Sequence, residues 1–85
     1  MRIPEKMLIT IVYKSYSIDI EVPTDLLIKD LKIKMKNILT NYFNRNKISE
    51  SVNDDINVYY EKELLADEKL LVNYGIWDGS IITVR

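Results

Sequence analysis

Residues 17–43 read SIDIEVPTDLLIKDLKIKMKNILTNYF, and the spacing of apolar residues in this segment changes at Pro23. Before the proline, every second residue is apolar, as in a strand with one buried face. After it, apolar residues recur at steps of three and four, which predicts an amphipathic helix from about Leu27 to Tyr42 or Phe43. Thr24-Asp25 lie where oxygen acceptors for the first N–H groups of a helix are expected. The apolar stripe of this helix comprises Ile28, Leu31, Met35, Ile38, Leu39 and Tyr42.

The remaining elements are short strands on either side of this segment. An alternating stretch before it is joined to the strand above by Ser15-Tyr16, so the two strands form a hairpin. Towards the C-terminus, a helical turn ended by Gly75 precedes the last strand. Because one helix covers only one face of a sheet, the predicted fold class is α+β, a mixed four- to five-stranded sheet with one long helix packed on one face. The further strands are predicted at Met7 to Lys14, Ile56 to Tyr60, Glu63 to Leu65 and Ser80 to Val84.

The length and composition are those of one small domain spanning residues 1–85, with residues 1–6 as a short N-terminal extension. The apolar share is 47% and the formal net charge is −1. The chain is therefore too apolar for a disordered segment, and its overall charge does not attract nucleic acid or an anionic membrane. It begins without a signal-peptide pattern, and no apolar run reaches the roughly 20 residues of a membrane-spanning helix. We expect a soluble, cytoplasmic protein with no direct membrane insertion.

Side chains suited to catalysis or metal binding are scarce. Histidine and cysteine are absent, which removes the usual general base near neutral pH, the thiolate nucleophile and all imidazole or thiolate ligands. Asp54 and Asp55 are adjacent carboxylates in a predicted loop, and they lack the further ligands of a calcium-binding loop. Gly75 and Gly79 are the only glycines, and we expect them in turns with positive φ rather than in a phosphate-binding loop. No enzyme activity, no cofactor and no metal are expected.

Charge is distributed unevenly along the chain. Basic residues dominate between residues 29 and 47, and acidic residues dominate between residues 50 and 68. A basic helix side beside an acidic edge could orient a partner, although a solvated surface is the favoured interpretation. Nucleic-acid binding is a further alternative, and it is disfavoured because the basic side lacks interleaved aromatic residues for base stacking. The basic residues concerned are Lys29, Lys32, Lys36 and Arg45.

Two stretches of the chain resemble a known family. Residues 17–23 followed by IKDL (28–31) resemble the second strand and helix start of ubiquitin-like β-grasp domains. LVNYGI (71–76) followed by DGSII (78–82) resembles their final third. Within this superfamily, the pattern Leu-x-x-Tyr-Gly-Ile-x-Asp-Gly looks most like the YukD/EsaB-type proteins, which are small cytoplasmic components associated with type VII secretion systems of Gram-positive bacteria.

This resemblance implies a function as well as a fold. It implies a non-catalytic adaptor or regulatory component that binds a cytoplasmic domain of a membrane protein of a type VII secretion system. Conjugated ubiquitin-like proteins and sulfur carriers end in a flexible Gly-Gly tail, whereas this sequence ends at Val84-Arg85. We therefore expect neither conjugation nor sulfur transfer, as in the YukD/EsaB-type proteins.

The sheet face that the helix leaves uncovered is the first candidate for a protein-binding surface. Strand alternation predicts that apolar residues on several strands point outward together, and soluble proteins seldom leave such a set exposed. The resemblance implies the same face, with Tyr59 where the family typically carries an apolar anchor. Alternatively, these residues could be present only because they favour strands, without a binding role, or a chain terminus could cover the face. The residues predicted to face outward are Leu8, Thr10, Val12, Asn57, Tyr59, Ile81 and Thr83.

Trp77 is the second candidate for protein interaction. It stands in a predicted turn beside Asp78-Gly79, and tryptophan is enriched at the centres of protein interfaces. It could equally pack at the periphery of the core. Self-association through the uncovered sheet face remains an alternative to a separate partner. The candidate interaction residues are therefore Leu8, Thr10, Val12, Tyr59, Thr83 and Trp77.

Overall fold

A computed structural model describes residues 5–85 of the chain. Its elements follow the order predicted from the sequence: two strands, a helix, two strands, a short 3₁₀ helix and a last strand. Of the expected N-terminal extension, residues 1–4 lie outside the described residues, and Lys6 belongs to the first strand. The elements are β1 (Lys6–Tyr13), β2 (Tyr16–Pro23), α1 (Ile28–Arg45), β3 (Val58–Tyr60), β4 (Glu63–Leu64), the 3₁₀ helix (Leu71–Tyr74) and β5 (Ile81–Val84).

The strands of the described residues form one mixed sheet in the order β2-β1-β5-β3-β4. β1 pairs antiparallel with β2 through the hairpin and parallel with β5. β3 pairs antiparallel with both β5 and β4. The sheet is thus five-stranded and mixed, and with α1 packed on one of its faces it confirms the predicted α+β class.

The core lies between α1 and one face of this sheet. In β1, every second side chain points into it, and each of these side chains is at most 2% exposed. The residues between them point to the opposite face, because side chains alternate along a strand. Within residues 5–85 no polar or charged side chain is buried. The core therefore owes its stability to apolar burial, at roughly 25 cal/mol per Å². The buried residues of β1 are Met7, Ile9, Ile11 and Tyr13.

The apolar stripe predicted on the helix is confirmed in most positions. Ile38 and Tyr42 depart from it, since both are only half-buried at the margin of the core. Phe43 is buried instead, because α1 continues to Arg45 and keeps Phe43 one turn after Leu39 on the covered side. The buried residues of α1 are Ile28, Leu31, Met35, Leu39 and Phe43.

The helix begins differently from the prediction. Its N-cap is Leu27, which makes no side-chain cap, rather than Thr24-Asp25. The first helical N–H groups donate instead to main-chain oxygens of the loop before the 3₁₀ helix, from Ile28 to Lys69 at 2.9 Å and from Lys29 to Asp67 at 3.1 Å. A loop distant in sequence thus satisfies donors that a local side chain was expected to satisfy.

Positive φ occurs at both glycines and also at residues that disfavour it. Gly75 and Gly79 have φ of 74° and 86°, which confirms the expected positive-φ turns. Glu61 and Lys62 form the two-residue connection between β3 and β4, and both also have positive φ, 50° and 71°. Two positive values are typical of a type I′ hairpin turn, for which Asn-Gly is the favoured pair. The natural residues therefore hold this turn under local backbone strain.

Replacing Lys62 with glycine should stabilise the domain by about 0.5–1 kcal/mol, because the gain at positive φ exceeds the entropy that glycine adds to the unfolded chain. Lys62→Ala is the matched control, since alanine keeps the Cβ that crowds this conformation. Urea unfolding monitored by circular dichroism measures both. Equal stability of the two variants would contradict the strained turn.

Candidate functional site

The candidate site is the outer face, by which we mean the face of the sheet opposite α1. Here the strand pairing places residues from different strands side by side. Val12 lies opposite Thr83, Thr83 opposite Tyr59, and Tyr59 opposite Leu64. Directly opposed residues of paired strands share a face and are close enough to touch. These four residues therefore form one row that crosses β1, β5, β3 and β4.

A second row runs beside the first. Thr10 lies between Ile81 of β5 and Asp19 of β2, and its hydroxyl donates to the Asp19 carboxylate at 2.6 Å. Leu8 occupies the next outward position of β1, opposite Glu21. The outer face thus has an apolar and hydroxylic centre, with carboxylates along its β2 side.

Trp77 lies on a turn at the margin of this face. The turn is fastened to β1 at Leu8, whose N–H donates to Asp78 Oδ1 at 2.7 Å and whose carbonyl accepts the Gly79 N–H at 2.8 Å. Within the turn, the Trp77 N–H donates to Ser80 Oγ at 3.1 Å. The indole is 43% exposed. Trp77 is therefore a surface residue, beside the end of the outer face that carries Leu8.

The large exposed hydrophobic residues are unevenly distributed over the described part of the chain. Most of them lie on the outer face or at its margin, and only one lies on the exposed side of α1. Strand alternation predicted the outward position of two of these residues, Leu8 and Ile81. Such a cluster marks a contact surface more often than single exposed residues do. The residues and their exposed fractions are Leu8 50%, Leu64 54%, Ile81 59%, Trp77 43% and, on α1, Ile33 61%.

The structure brings five of the six candidate residues onto the outer face and places Trp77 beside it. Sequence reasoning missed Leu64 as a site residue, because β4 is too short to show alternation, and only its pairing with Tyr59 assigns its face. Ile81 was predicted to point outward but was not counted in the site. Asn57 lies just before β3, and it exchanges main-chain hydrogen bonds with Arg85 at 2.8 and 3.0 Å.

The outer face is electrically polarised. At one end, the Arg85 guanidinium lies 5.5 Å from the centroid of the Tyr59 ring, a cation–π contact. Lys62 lines the same shallow depression as these two residues. At the other end, Asp19 and Glu21 stand on β2 and are exposed. A partner therefore meets an acidic border on one side of the apolar centre and a basic border on the other.

The basic side of the helix contacts two acidic loops of the same chain. Lys32 Nζ lies 2.6 Å from Asp67, and Lys29 Nζ lies 3.4 Å from Glu68. Lys36 Nζ donates to the main-chain oxygen of Asp54 at 2.8 Å. Exposed pairs of this kind contribute little to stability, but they reduce the local positive potential. This pairing weighs further against the nucleic-acid alternative.

A further ion pair joins the first hairpin to the loop after the helix. Lys14 Nζ lies 2.6 Å from Glu50 Oε2, and this hydrogen bond raises the pKa of Lys14. The Tyr13 hydroxyl donates to the Ser51 carbonyl at 3.3 Å and accepts the Asn53 N–H at 3.1 Å. These contacts position the loop rather than form a reactive site.

Asp54 and Asp55 are both exposed, as expected for a solvated loop. Among residues 5–85, no three acidic side chains are grouped closely enough to hold a metal ion. In the same part of the chain, no helix combines the length and the apolar character needed to cross a bilayer.

No protein-family model matches the chain, and no curated protein matches it in sequence. Several solved structures do resemble it. The solution NMR structure of the ubiquitin-like domain of Arabidopsis thaliana protein At2g32350 has a TM-score of 0.72 at 26% identity, over 96% of this chain and 78% of that one. A protein designed de novo from ubiquitin has a TM-score of 0.74 at 20% identity, over 96% and 89%.

A third similar structure is the N-terminal ubiquitin-like domain of the 4931431F19Rik protein, with a TM-score of 0.68 at 16% identity, over 95% of this chain and 74% of that one. Together these likenesses show that the fold is a ubiquitin-like β-grasp. Folds of this type are generally non-catalytic, and they support a role in protein interaction.

If Asp67 and Glu68 mask the helix lysines, the unmodified protein should not be retained on immobilised DNA at about 0.05 M salt, where phosphate contacts are strong. The variant Asp67→Asn/Glu68→Gln frees Lys29 and Lys32, and it should elute measurably later. Salt-sensitive retention of the unmodified protein would contradict the masking.

Proposed function

We propose that this chain is a non-catalytic protein-binding domain that docks a partner through the outer face. The observation that carries the proposal is the concentration of exposed apolar side chains there, whereas α1 packs on the opposite face of the sheet. Leu8, Ile81 and Leu64 are each at least half exposed although they project from ordered strands. Covering them with a partner would remove apolar surface from water at a gain of roughly 25 cal/mol per Å².

The centre of the face has the composition of an interface. Tyr59 stands in the row of opposed residues, with Thr83 beside it and Leu64 beyond it. Tyrosine and tryptophan are enriched among the residues that dominate binding energy. Arg85 against Tyr59 adds a planar cation that can pair with a partner carboxylate. The polarised borders would orient the partner and select its charge pattern.

The narrower proposal is that the partner is the cytoplasmic domain of a membrane protein of a type VII secretion system, with this chain as its adaptor or regulatory component. Its support is the resemblance of residues 71–82 to the YukD/EsaB-type proteins. The absence of histidine and cysteine agrees with a role in binding rather than in catalysis.

Tyr59→Asp tests the docking surface, because it places a charge at the centre of the apolar row. We expect the dissociation constant to rise at least about 30-fold. This corresponds to a loss of about 2 kcal/mol of binding free energy, which is the threshold for a dominant interface residue. Ile33→Asp is the control, since Ile33 is an exposed apolar residue that lies on α1 rather than on the outer face, and this variant should bind normally. Affinity capture from the host, followed by titration with the captured protein, measures both variants.

Equal capture by the folded Tyr59→Asp variant and the unmodified protein would place the docking surface elsewhere. If the captured proteins are unrelated to secretion and their capture is lost in Tyr59→Asp, the outer face remains the docking surface, and the proposal of a secretion-system partner is wrong. Sedimentation at micromolar concentration addresses the alternative of self-association: a dimer that Tyr59→Asp dissociates would assign the outer face to a second copy of this chain.

A further inference from the structure

Arg85 is held at one end of the outer face by its main chain and by its side chain. Its N–H donates to the Asn57 carbonyl at 3.0 Å, and its carbonyl accepts the Asn57 N–H at 2.8 Å. Its guanidinium lies 5.5 Å from the centroid of the Tyr59 ring. A guanidinium stacked on an aromatic ring keeps its N–H fork available for a planar anion. Arg85 is therefore a cation that is positioned before any partner binds.

Lys62 brings a second cation to the same place. Together with Tyr59, Thr83 and Arg85, it lines a shallow depression of about 180 Å³. Lys62 has φ of 71° in the turn between β3 and β4, a conformation that residues with a Cβ disfavour. Strained backbone clusters at sites that hold ligands. The strained turn is therefore a second observation that marks this depression as a binding site.

These two cations have no anionic partner within residues 5–85. The ion pairs of the described chain involve other lysines, and neither Arg85 nor Lys62 takes part in them. Lys14 lies at the same end of the sheet, but its charge is compensated by Glu50, whose Oε2 lies 2.6 Å from Lys14 Nζ. The depression thus combines two uncompensated positive charges with an aromatic ring, and its charge is complementary to an anion.

A second depression adjoins the first and shares Thr83 and Arg85 with it. Its volume is about 370 Å³. On the outer face it is lined by Val12 and Thr83, which are directly opposed on β1 and β5 and are both half-buried. Both side chains carry methyl groups, so this part of the depression favours an apolar side chain. An acidic residue beside an apolar residue matches the two depressions together.

We infer that the depression between Arg85 and Lys62 is a carboxylate-binding site. A segment of the partner presents a glutamate or aspartate there, with a neighbouring apolar side chain against Val12 and Thr83. The inference rests on the proposed function, because it takes the anion from a protein docked on the outer face. The guanidinium pairs with both carboxylate oxygens, whereas the Lys62 ammonium adds a point charge. The acidic β2 side of the face repels the same carboxylate, which gives the segment one favoured orientation.

The test uses the peptide acetyl-Gly-Leu-Glu-Leu-Gly-amide and a control peptide with glutamine in place of glutamate, so that the two differ only in charge. Both are titrated into the isotopically labelled protein at about 0.05 M salt, where exposed charges are weakly screened. The glutamate peptide should shift the Arg85 Nε–Hε and Tyr59 ring resonances. It should bind at least about fivefold more tightly than the glutamine peptide, and about 1 M salt should remove most of this preference. Equal affinities at low salt would overturn the inference.

Variants show whether the preference comes from these two cations. It should be lost in Lys62→Gln/Arg85→Gln and kept in Lys34→Gln/Lys47→Gln, which has the same net charge but alters exposed residues of α1 and the turn after it. Arg85→Lys keeps the charge without the planar fork, and it should reduce the preference to about half. A preference that persists in Lys62→Gln/Arg85→Gln, or that falls equally in the control variant, would refute the site.

The results also separate this inference from the proposed function. If Tyr59→Asp abolishes capture of the natural partner but the two peptides bind equally, the outer face is the docking surface and the carboxylate site is wrong. If the glutamate peptide is preferred but Tyr59→Asp leaves capture unchanged, the carboxylate site is confirmed and the proposed function is wrong. Shifts of the Arg85 and Tyr59 resonances that grow with protein concentration without peptide would assign the site to a second copy of this chain and overturn the inference.

Discussion

The structure depends on the burial of one side of β1 beneath α1. Ile9 and Ile11 are fully buried, and because side chains alternate, this burial forces Thr10 and Val12 to the opposite face. A slip of one residue in register would exchange the two sets. The described residues contain a single α-helix, which packs on one face, so the other face has no helical layer over it. The outward-facing row through Tyr59 is therefore a consequence of how the core is built.

The polar groups are arranged around the same constraint. Acidic residues of the loop before the 3₁₀ helix pair with helix lysines, and main-chain oxygens of that loop accept the first N–H groups of α1. This side of the molecule is occupied by its own contacts. The outer face, in contrast, keeps exposed apolar side chains. Binding is thus favoured on the sheet rather than on the basic helix.

Features with a local cause were predictable. The alternation of residues 18–22 and the stripe of α1 come from the geometry of strands and helices, and Gly75 was expected at positive φ because glycine tolerates it. Features with a distant cause were not. The first N–H groups of α1 are capped by Asp67 and Lys69, which lie far along the chain. A two-residue strand such as β4 is too short to show alternation of apolar residues, so the sequence does not tell which face Leu64 occupies.

The sequence by itself determined the elements, the single covered face of the sheet and the lack of histidine and cysteine chemistry, since each follows from residue type and near-neighbour spacing. Apart from the β1–β2 hairpin, only the tertiary structure decided which strands are neighbours. That choice depends on packing between distant segments, and it sets Tyr59 beside Thr83 and leaves β2 at the edge of the sheet. Local periodicity carries no information on strand order, because any order would bury the same alternate residues.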